Sequence, residues 1–387
     1  MPVKKIPGVY VEEISFARRS IEGVSMSDAV FVGECPAGAE NAPTPVVNFG
    51  EFERRFGVVE VGRSSHRSEL MAQSVRGYFQ NGGKKAWIVR VLDHDRRTDE
   101  RVWPTLDNAE GAGTVCLPGS PWIEEEKTRI RGWLDFVERT SRWMLISDPP
   151  PGVELRSAAD VESLDLPASN YAALYYPWVR VRREKPSRET VLVPPCGHVA
   201  GVWARTDVDR GVWKAPAGVD ARLNGVADLE FDVGVAEQDV LNPAGINALR
   251  DLPGHGPVIW GARTLAAASN SEWKYVNIRR FTNYVEHSIE SGIGWVVFEP
   301  NDQPLWSSIR QSIETFMHGI YRQGALQGTR PEEAYFVRCD RSTMTEDDVL
   351  NGIVNIVVGF APLKPAEFVI LRISRQTVQN GGHDGKA

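Results

Sequence analysis

Cys196, Gly197 and His198 place a thiol two residues from an imidazole, the most chemically suggestive spacing in the chain. On a strand, residues two apart share a face, and a thiol beside a base is the beginning of a nucleophilic site. A working site also needs a third group to orient the imidazole, and nothing near His198 does so. The expectation is a buried thiol and a hydrogen-bonded histidine. Asp207 and Asp209 could attract a cation, but Arg205 and Arg210 flank them and favour local ion pairs. Asn81-Gly82-Gly83-Lys84-Lys85 has the glycines and lysines of a phosphate loop without its length or its hydroxyl, and reads as a helix stop. No G-x-S-x-G or H-E-x-x-H segment occurs. Cys35, Cys116, Cys196 and Cys339 lie far apart, so neither a zinc site nor a disulfide framework is expected. The residues point to no catalysis, no cofactor and no metal.

Composition narrows the partners. Lys and Arg total 44 against 51 Asp and Glu, a formal charge of −7, which disfavours general phosphate binding and hence nucleic acid. A 42% hydrophobic share in 387 residues supports a folded chain of two ordinary domains or one core with excursions. No signal-like apolar stretch follows Lys4-Lys5, and the greasy run near residues 353–363 is broken by Gly359 and Pro362. The expected site of synthesis is the cytoplasm, without membrane insertion.

The elements that would position these residues alternate in type. Residues 29–33, 86–91 and 144–147 are short apolar runs suited to buried strands. Between them Leu70, Met71, Val75, Tyr78 and Phe79, and then Ile130, Trp133, Leu134 and Val137, repeat at helical spacing. This alternation predicts an α/β fold, a mixed sheet core flanked by helices. Residues 93–113 are polar and weakly patterned and read as a surface connection. Residues 171–181 form one apolar strand, followed by Arg180, Arg182, Arg183, Lys185 and Arg188, a solvated face or a contact for an acidic surface. A long helix capped by Ser271 runs through Trp273, Val276, Phe281 and Ile289, and a strand covers Trp295, Val296, Val297 and Phe298. A further helix carries Leu305 to Tyr321, Thr345 opens a capping box with Asp348, and residues 353–360 form a strand. Trp203, Trp213, Trp260 and Trp295 are expected in the core or in subunit packing.

Both ends of the chain carry strand-forming segments with no obvious place in the core. Val9, Tyr10, Val11 and Glu12 follow Pro7-Gly8; Glu367, Phe368, Val369, Ile370, Leu371, Arg372 and Ile373 follow Pro362 and Pro365. A strongly apolar strand set off by prolines near a chain end is a liability unless a neighbour's sheet completes it. Two such arms suit β-augmentation between copies.

Several long words then match a known family. They include Ala173-Leu174-Tyr175-Tyr176-Pro177-Trp178, Val193-Pro194-Pro195-Cys196-Gly197-His198, Gly211-Val212-Trp213-Lys214-Ala215-Pro216 and Trp260-Gly261-Ala262-Arg263-Thr264. Trp295-Val296-Val297-Phe298-Glu299-Pro300-Asn301 and Ala361-Pro362-Leu363-Lys364-Pro365-Ala366-Glu367-Phe368 continue the series, and Pro7-Gly8-Val9-Tyr10-Val11-Glu12-Glu13 resembles the family's opening arm. The chain resembles the tail-sheath proteins of contractile phages, pyocin-like particles and extracellular injection systems. It departs from many of them between Val91 and Gly119, where an outer insertion domain is replaced by a short link.

The resemblance implies a structural polymer: a homo-oligomer of stacked six-fold rings around an inner tube protein, with baseplate and terminal cap proteins as further partners. The rings persist kinetically in a stretched state and drive the tube out on contraction. It also implies a compact sheath fold with extended N- and C-terminal strand arms, divided into an arm (1–20), an N-terminal α/β part (21–165), a C-terminal core (166–365) and a linking strand with tail (366–387). Subunits would leave the producing bacterium's cytoplasm as part of an assembled particle. The family's middle domain is subtilisin-like in fold, which raises serine hydrolysis as the alternative; no Gly-Thr-Ser nucleophile segment exists here. Cations on the two long helices, Lys274, Arg279, Arg280, Arg310 and Arg322, are the candidates for gripping the tube, the alternative being that the arginines pair within the subunit.

Overall fold

Six short apolar segments line up in parallel to make the centre of the molecule. The computed structural model describes residues 20–58, 64–92, 96–183, 189–268 and 272–367. In chain order the strands are β1 (Asp28–Gly33), β2 (Thr44–Val46), β3 (Ala86–Arg90), β4 (Ala112–Cys116), β5 (Met144–Ser147), β6 (Ala172–Tyr176), β7 (Val179–Arg182), β8 (Thr190–Val193), β9 (Val226–Leu229), β10 (Ile246–Leu252), β11 (Gly256–Ile259), β12 (Tyr335–Arg338) and β13 (Val357–Phe360). The main sheet has the order β11-β10-β6-β5-β4-β1-β3-β2. Strands β10, β6, β5, β4, β1 and β3 are parallel, and antiparallel β11 and β2 close the two edges. A three-stranded antiparallel sheet, β8-β7-β9, and a two-stranded one, β12-β13, stand apart.

Five long helices cover these sheets: α1 (His66–Gln80), α2 (Glu124–Thr140), α3 (Cys196–Arg210), α4 (Val276–Gly292) and α5 (Gln303–Arg322). The pleat sorts alternate residues to opposite faces. Phe31, Ile88, Cys116, Ile146 and Tyr175 face α1 and α3, while Val30, Val89, Val115, Leu145 and Leu174 share a second core with Ile130, Trp133 and Val137 of α2. A third core joins α4 and α5 to β12 and β13 through Phe281, Ile309, Ile313, Met317 and Val337. Helices α1 and α3 approach closely because α3 carries Gly197 and Gly201 one turn apart. A Cβ on Gly201 would lie 2.4 Å from the Tyr78 carbonyl oxygen, and one on Gly197 would lie 2.2 Å from that of Ser74. Gly201→Ala therefore costs roughly 1–3 kcal/mol by forcing the helices apart. An unfolding midpoint equal to wild type would show the contact to be slack.

Several expectations need correction. Residues 93–113 are not a surface link: they contain the helix Arg96–Val102, the 3-10 turn Trp103–Asn108 and the start of β4, with Val102, Leu106, Ala109 and Ala112 buried. β4 lies between β1 and β5, and a strand covered on both faces can be built from small residues such as Ala112, Gly113 and Thr114. Residues 171–181 are two strands, β6 and β7, split at Pro177. Trp295 and Val296 sit in a 3-10 turn, Gly294–Val296, instead of a strand. Helix α4 starts at Val276 behind Tyr275, so Trp273 precedes it, and Ser271 lies outside the described residues. The Thr345–Asp348 capping box forms as expected, with Thr345 Oγ1 accepting from the Asp348 amide. Of the four tryptophans only Trp203 is fully enclosed; Trp213 and Trp295 are half-buried against the third core, and Trp260 is exposed.

Candidate functional site: the anchor of the C-terminal arm

The chain runs back along the body before its last strand-forming segment, and hydrogen bonds fix it there. The Gln327 amide donates to the Ala361 carbonyl at 2.8 Å, the Ala361 amide to that of Ala334 at 2.9 Å, and Asn277 Nδ2 to that of Leu363 at 3.1 Å. This path ends at Glu367, the first residue of the expected linking strand. Arg263 holds its carboxylate in a fork, Nε to Oε1 at 2.7 Å and a terminal nitrogen to Oε2 at 2.6 Å. The Tyr275 hydroxyl donates to Oε2 at 3.0 Å, and Lys274 Nζ lies 3.4 Å away. Such two-pronged, charge-assisted bonds fix orientation as well as position.

The clamp traces to the start of β10. Asn247, fully buried on that strand, accepts from the Arg263 amide at 2.6 Å and donates Nδ2 to the carbonyls of Leu174 and Arg263 at 3.1 and 2.8 Å. Its amide side chain shapes the loop after β11, so that Arg263, itself buried, points at Glu367 and also donates to the Asn242 carbonyl at 2.7 Å. Burial alone would push the Glu367 carboxyl up. The bonds and charge of Arg263, the Tyr275 hydroxyl and Lys274 outweigh it and hold it below its usual value. Burial and the Glu367 carboxylate push the Tyr275 phenol up to about 12. A depressed carboxyl stabilises the folded arrangement above the ordinary carboxylate range near pH 4.3, and that contribution is lost as pH falls through the folded value. Protease cleavage around residues 361–367 should accordingly rise in acid for the wild type and already at neutral pH for Glu367→Gln. Equal protection of both proteins at pH 7 would show that the clamp does not hold the segment.

Next to this path, β12 and β13 pair only with each other among the described residues. Two strands alone are marginally stable, and each leaves one edge of unpaired backbone groups. Phe336 and Val357 on this sheet are exposed.

The other candidate residues fall in different places. Phe368, Val369, Ile370, Leu371, Arg372 and Ile373, like Val9, Tyr10, Val11 and Glu12, lie outside the described residues, as do Lys185 and Arg188. Of the suggested tube contacts, Arg279 and Arg280 are buried and therefore unavailable to a surface partner. Arg279 bonds Asn283 at 2.8 Å beneath the rings of Tyr171 and Trp273; Arg280 bonds Asp207 Oδ1 at 2.8 Å over the Trp203 ring. Asp207 thus pairs across 73 residues of sequence, not with its neighbouring arginines. Lys274 belongs to the Glu367 cluster, which leaves Arg310 and Arg322 on α5. Arg183 pairs with Glu69 of α1 at 2.7 Å.

The thiol–imidazole pair does not assemble. Cys196 and His198 lie in the first turn of α3, begun by Pro194-Pro195, whose preset φ suits a helix start. Two residues on a helix point about 200° apart, so they share no face. Burial pushes the Cys196 thiol well up, aided by Cys116 and Asp148. Burial alone lowers His198 to about 4, and neither ring nitrogen has a partner among the described residues, where a hydrogen-bonded histidine was expected. Asp148, pushed by burial to about 7, accepts from the Cys196 amide at 2.9 Å, a structural bond between β5's end and α3. No cluster of three or more metal-ligating side chains occurs among the described residues, and no helix there is long and apolar enough to cross a membrane.

Comparison with known proteins completes the picture. Family models for the phage tail sheath protein central domain and the phage tail sheath C-terminal domain match residues 145–265 and 268–376. The tail sheath protein of Vibrio phage KVP40 is 32% identical over 139 residues, 36% of this chain and 21% of that protein. This chain thus spans about a fifth of that relative, and 35% of the tail sheath protein of Burkholderia phage BcepMu. The anti-feeding prophage helical sheath in its contracted state superposes with TM-score 0.79 at 30% identity, covering 97% of this chain and 100% of that one. The contracted sheath complex of an extracellular contractile injection system, PVC, gives TM-score 0.79 at 29% identity, covering 97% and 99%.

Proposed function

The chain belongs to the contractile tail-sheath family, and on that premise we propose that it is a structural subunit whose copies stack as six-fold rings around an inner tube and contract to drive the tube into a target envelope. The observation that carries this reading is local: a two-stranded sheet that takes no further strand among the described residues lies beside the segment anchored at Glu367. Strands 9–12 and 367–373 of neighbouring copies complete that sheet, so subunits stay tethered while their bodies rotate. Baseplate and cap proteins bound the stack at its ends. The subunits assemble in the producing cell's cytoplasm and leave it within the particle.

The chain performs no chemistry in this reading. A Ser- or Cys-directed covalent probe that labelled the assembled protein stoichiometrically and blocked a hydrolytic activity would defeat it. Sedimentation tests polymerisation: the purified chain with its tube protein should pellet as a large assembly, whereas a stable monomer at all concentrations would refute the reading.

The tube is gripped through charge on α5, from exposed Arg322 and half-buried Arg310, which lies 3.9 Å from Glu314. Exposed pairs are weak and salt-sensitive, which suits a grip that must release. Reversing both charges should strip tube from the particles; tube-filled particles of normal yield would remove α5 from the contact.

A further inference from the structure

Phe298 is presented to solvent on a rigid support. Its side chain is 101% exposed and that of Val297 65%, while Phe298 adopts φ 71°, the left-handed region that an L-residue enters at a cost. The turn is held from both sides. The Glu299 amide donates to the Val296 carbonyl at 3.1 Å, Asn301 Oδ1 accepts from Trp306 Nε1 at 2.8 Å, and Asn301 Nδ2 donates to the Ile353 carbonyl at 3.1 Å. Leu350 and Ile353 extend the exposed apolar surface beyond that bond. Within one copy, strain and apolar exposure bring no return.

A socket of matching character lies at the far end of the same helix. A cleft of about 800 Å³ is walled by Trp213, Ala262 and Pro365 and carries the cations Arg210, Lys214 and Lys364. None of these three cations has a salt bridge among the described residues; Lys214 donates to the Ala215 carbonyl at 3.0 Å and feels the charges of both Arg210 and Asp220. Gln323 and Gly324, just past α5, also line it, whereas Phe298 precedes α5 by a few residues. Twenty residues of helix separate the two by about 30 Å. The knob therefore cannot reach its own socket. Glu367 also lines the cleft, but its carboxylate is held by Arg263, and Glu299, directly after Phe298, supplies a charge opposite to Arg210, Lys214 and Lys364.

We propose that Phe298 of one copy seats in this cleft of the next, with Glu299 facing Arg210, Lys214 and Lys364. A knob and a socket at opposite ends of one rigid helix make a head-to-tail contact, which propagates into an open helix instead of closing a dimer. The contact is separate from strand exchange, though it rests on the sheath reading. The test uses the full chain under conditions where wild type assembles. Phe298→Glu and Phe298→Ala should keep the wild-type melting midpoint, since the ring touches little, and should raise the concentration needed for assembly at least tenfold. Glu299→Lys should weaken assembly, and Lys214→Glu in the same chain should restore it. In assembled material carrying Val297→Cys and Lys364→Cys, a short bismaleimide should yield a ladder of covalently joined subunits.

Assembly of Phe298→Glu at the wild-type concentration would overturn the proposal. So would crosslinking of the Val297→Cys variant to the tube protein, or of the socket to residues 1–19 or 368–387. A wild-type chain that never assembles would instead sink the sheath reading on which it rests.

Discussion

Removing residues 367–387 should leave a soluble, folded body that no longer polymerises. The described cores take no side chain from these residues: the deepest side chains of the third core lie on α4, α5, β12 and their connections. Loss of Glu367 leaves buried Arg263 without its carboxylate, so the body should stay folded with a lowered melting midpoint. What the deletion takes away is the partner for an unfinished sheet. Among the described residues β12 and β13 pair only with each other, and on the proposed reading arms from neighbours complete their outer edges. On the proposed reading each subunit gives and receives strands, so loss of the arm should act at every junction of the lattice. The measurement is paired: circular dichroism and melting for the body, sedimentation for the polymer. Full-length sheaths from the truncated chain would rule out strand exchange.

Asp207→Ala should destabilise the subunit by about 3–5 kcal/mol, because it leaves the Arg280 guanidinium buried without its carboxylate. The pair joins the end of α3 to the N-terminal half of α4, so it couples the α/β body to the third core. Burial tends to raise the Asp207 carboxyl, and Arg280 opposes that rise; the charge is tolerable only in the company of its partner. Replacing both members by well-packed apolar residues should cost much less than removing one, since no charge is then stranded. Denaturant midpoints of the single and double variants decide the matter. A single-site loss below about 1 kcal/mol would mean that water reaches the pair.

How much of this is legible in sequence depends on the kind of signal. Helix α2 shows itself through Ile130, Trp133, Leu134 and Val137, and β1, β3 and β5 through short apolar runs, since these elements carry strong periodicity or composition. Strand β4 escapes because Ala112, Gly113 and Thr114 look like loop residues; their place between two parallel neighbours is set by tertiary packing. Helix α3 reads as a strand because Cys196-Gly197-His198 lacks an amphipathic stripe, being buried nearly all round its first turns. The arm anchor is half visible. Glu367 stands out as the start of the linking strand, but Arg263, Tyr275 and Asn247 converge on it only through folding, from 92 to 104 residues away for the two direct contacts. A lone asparagine inside the apolar run of β10 is the available clue, because a buried amide must find partners. The buried Arg279 and Arg280 show the converse error. Arginines on an amphipathic helix look exposed until a distant Asp207 or an aromatic pair encloses them.

Whether this chain is a polymer-forming sheath subunit is decided by electron microscopy of the purified protein produced together with its tube protein. Striated hollow rods with a six-fold helical repeat, shortening and widening on contraction, are the expected result. Monodisperse globular particles under every condition tried would refute it.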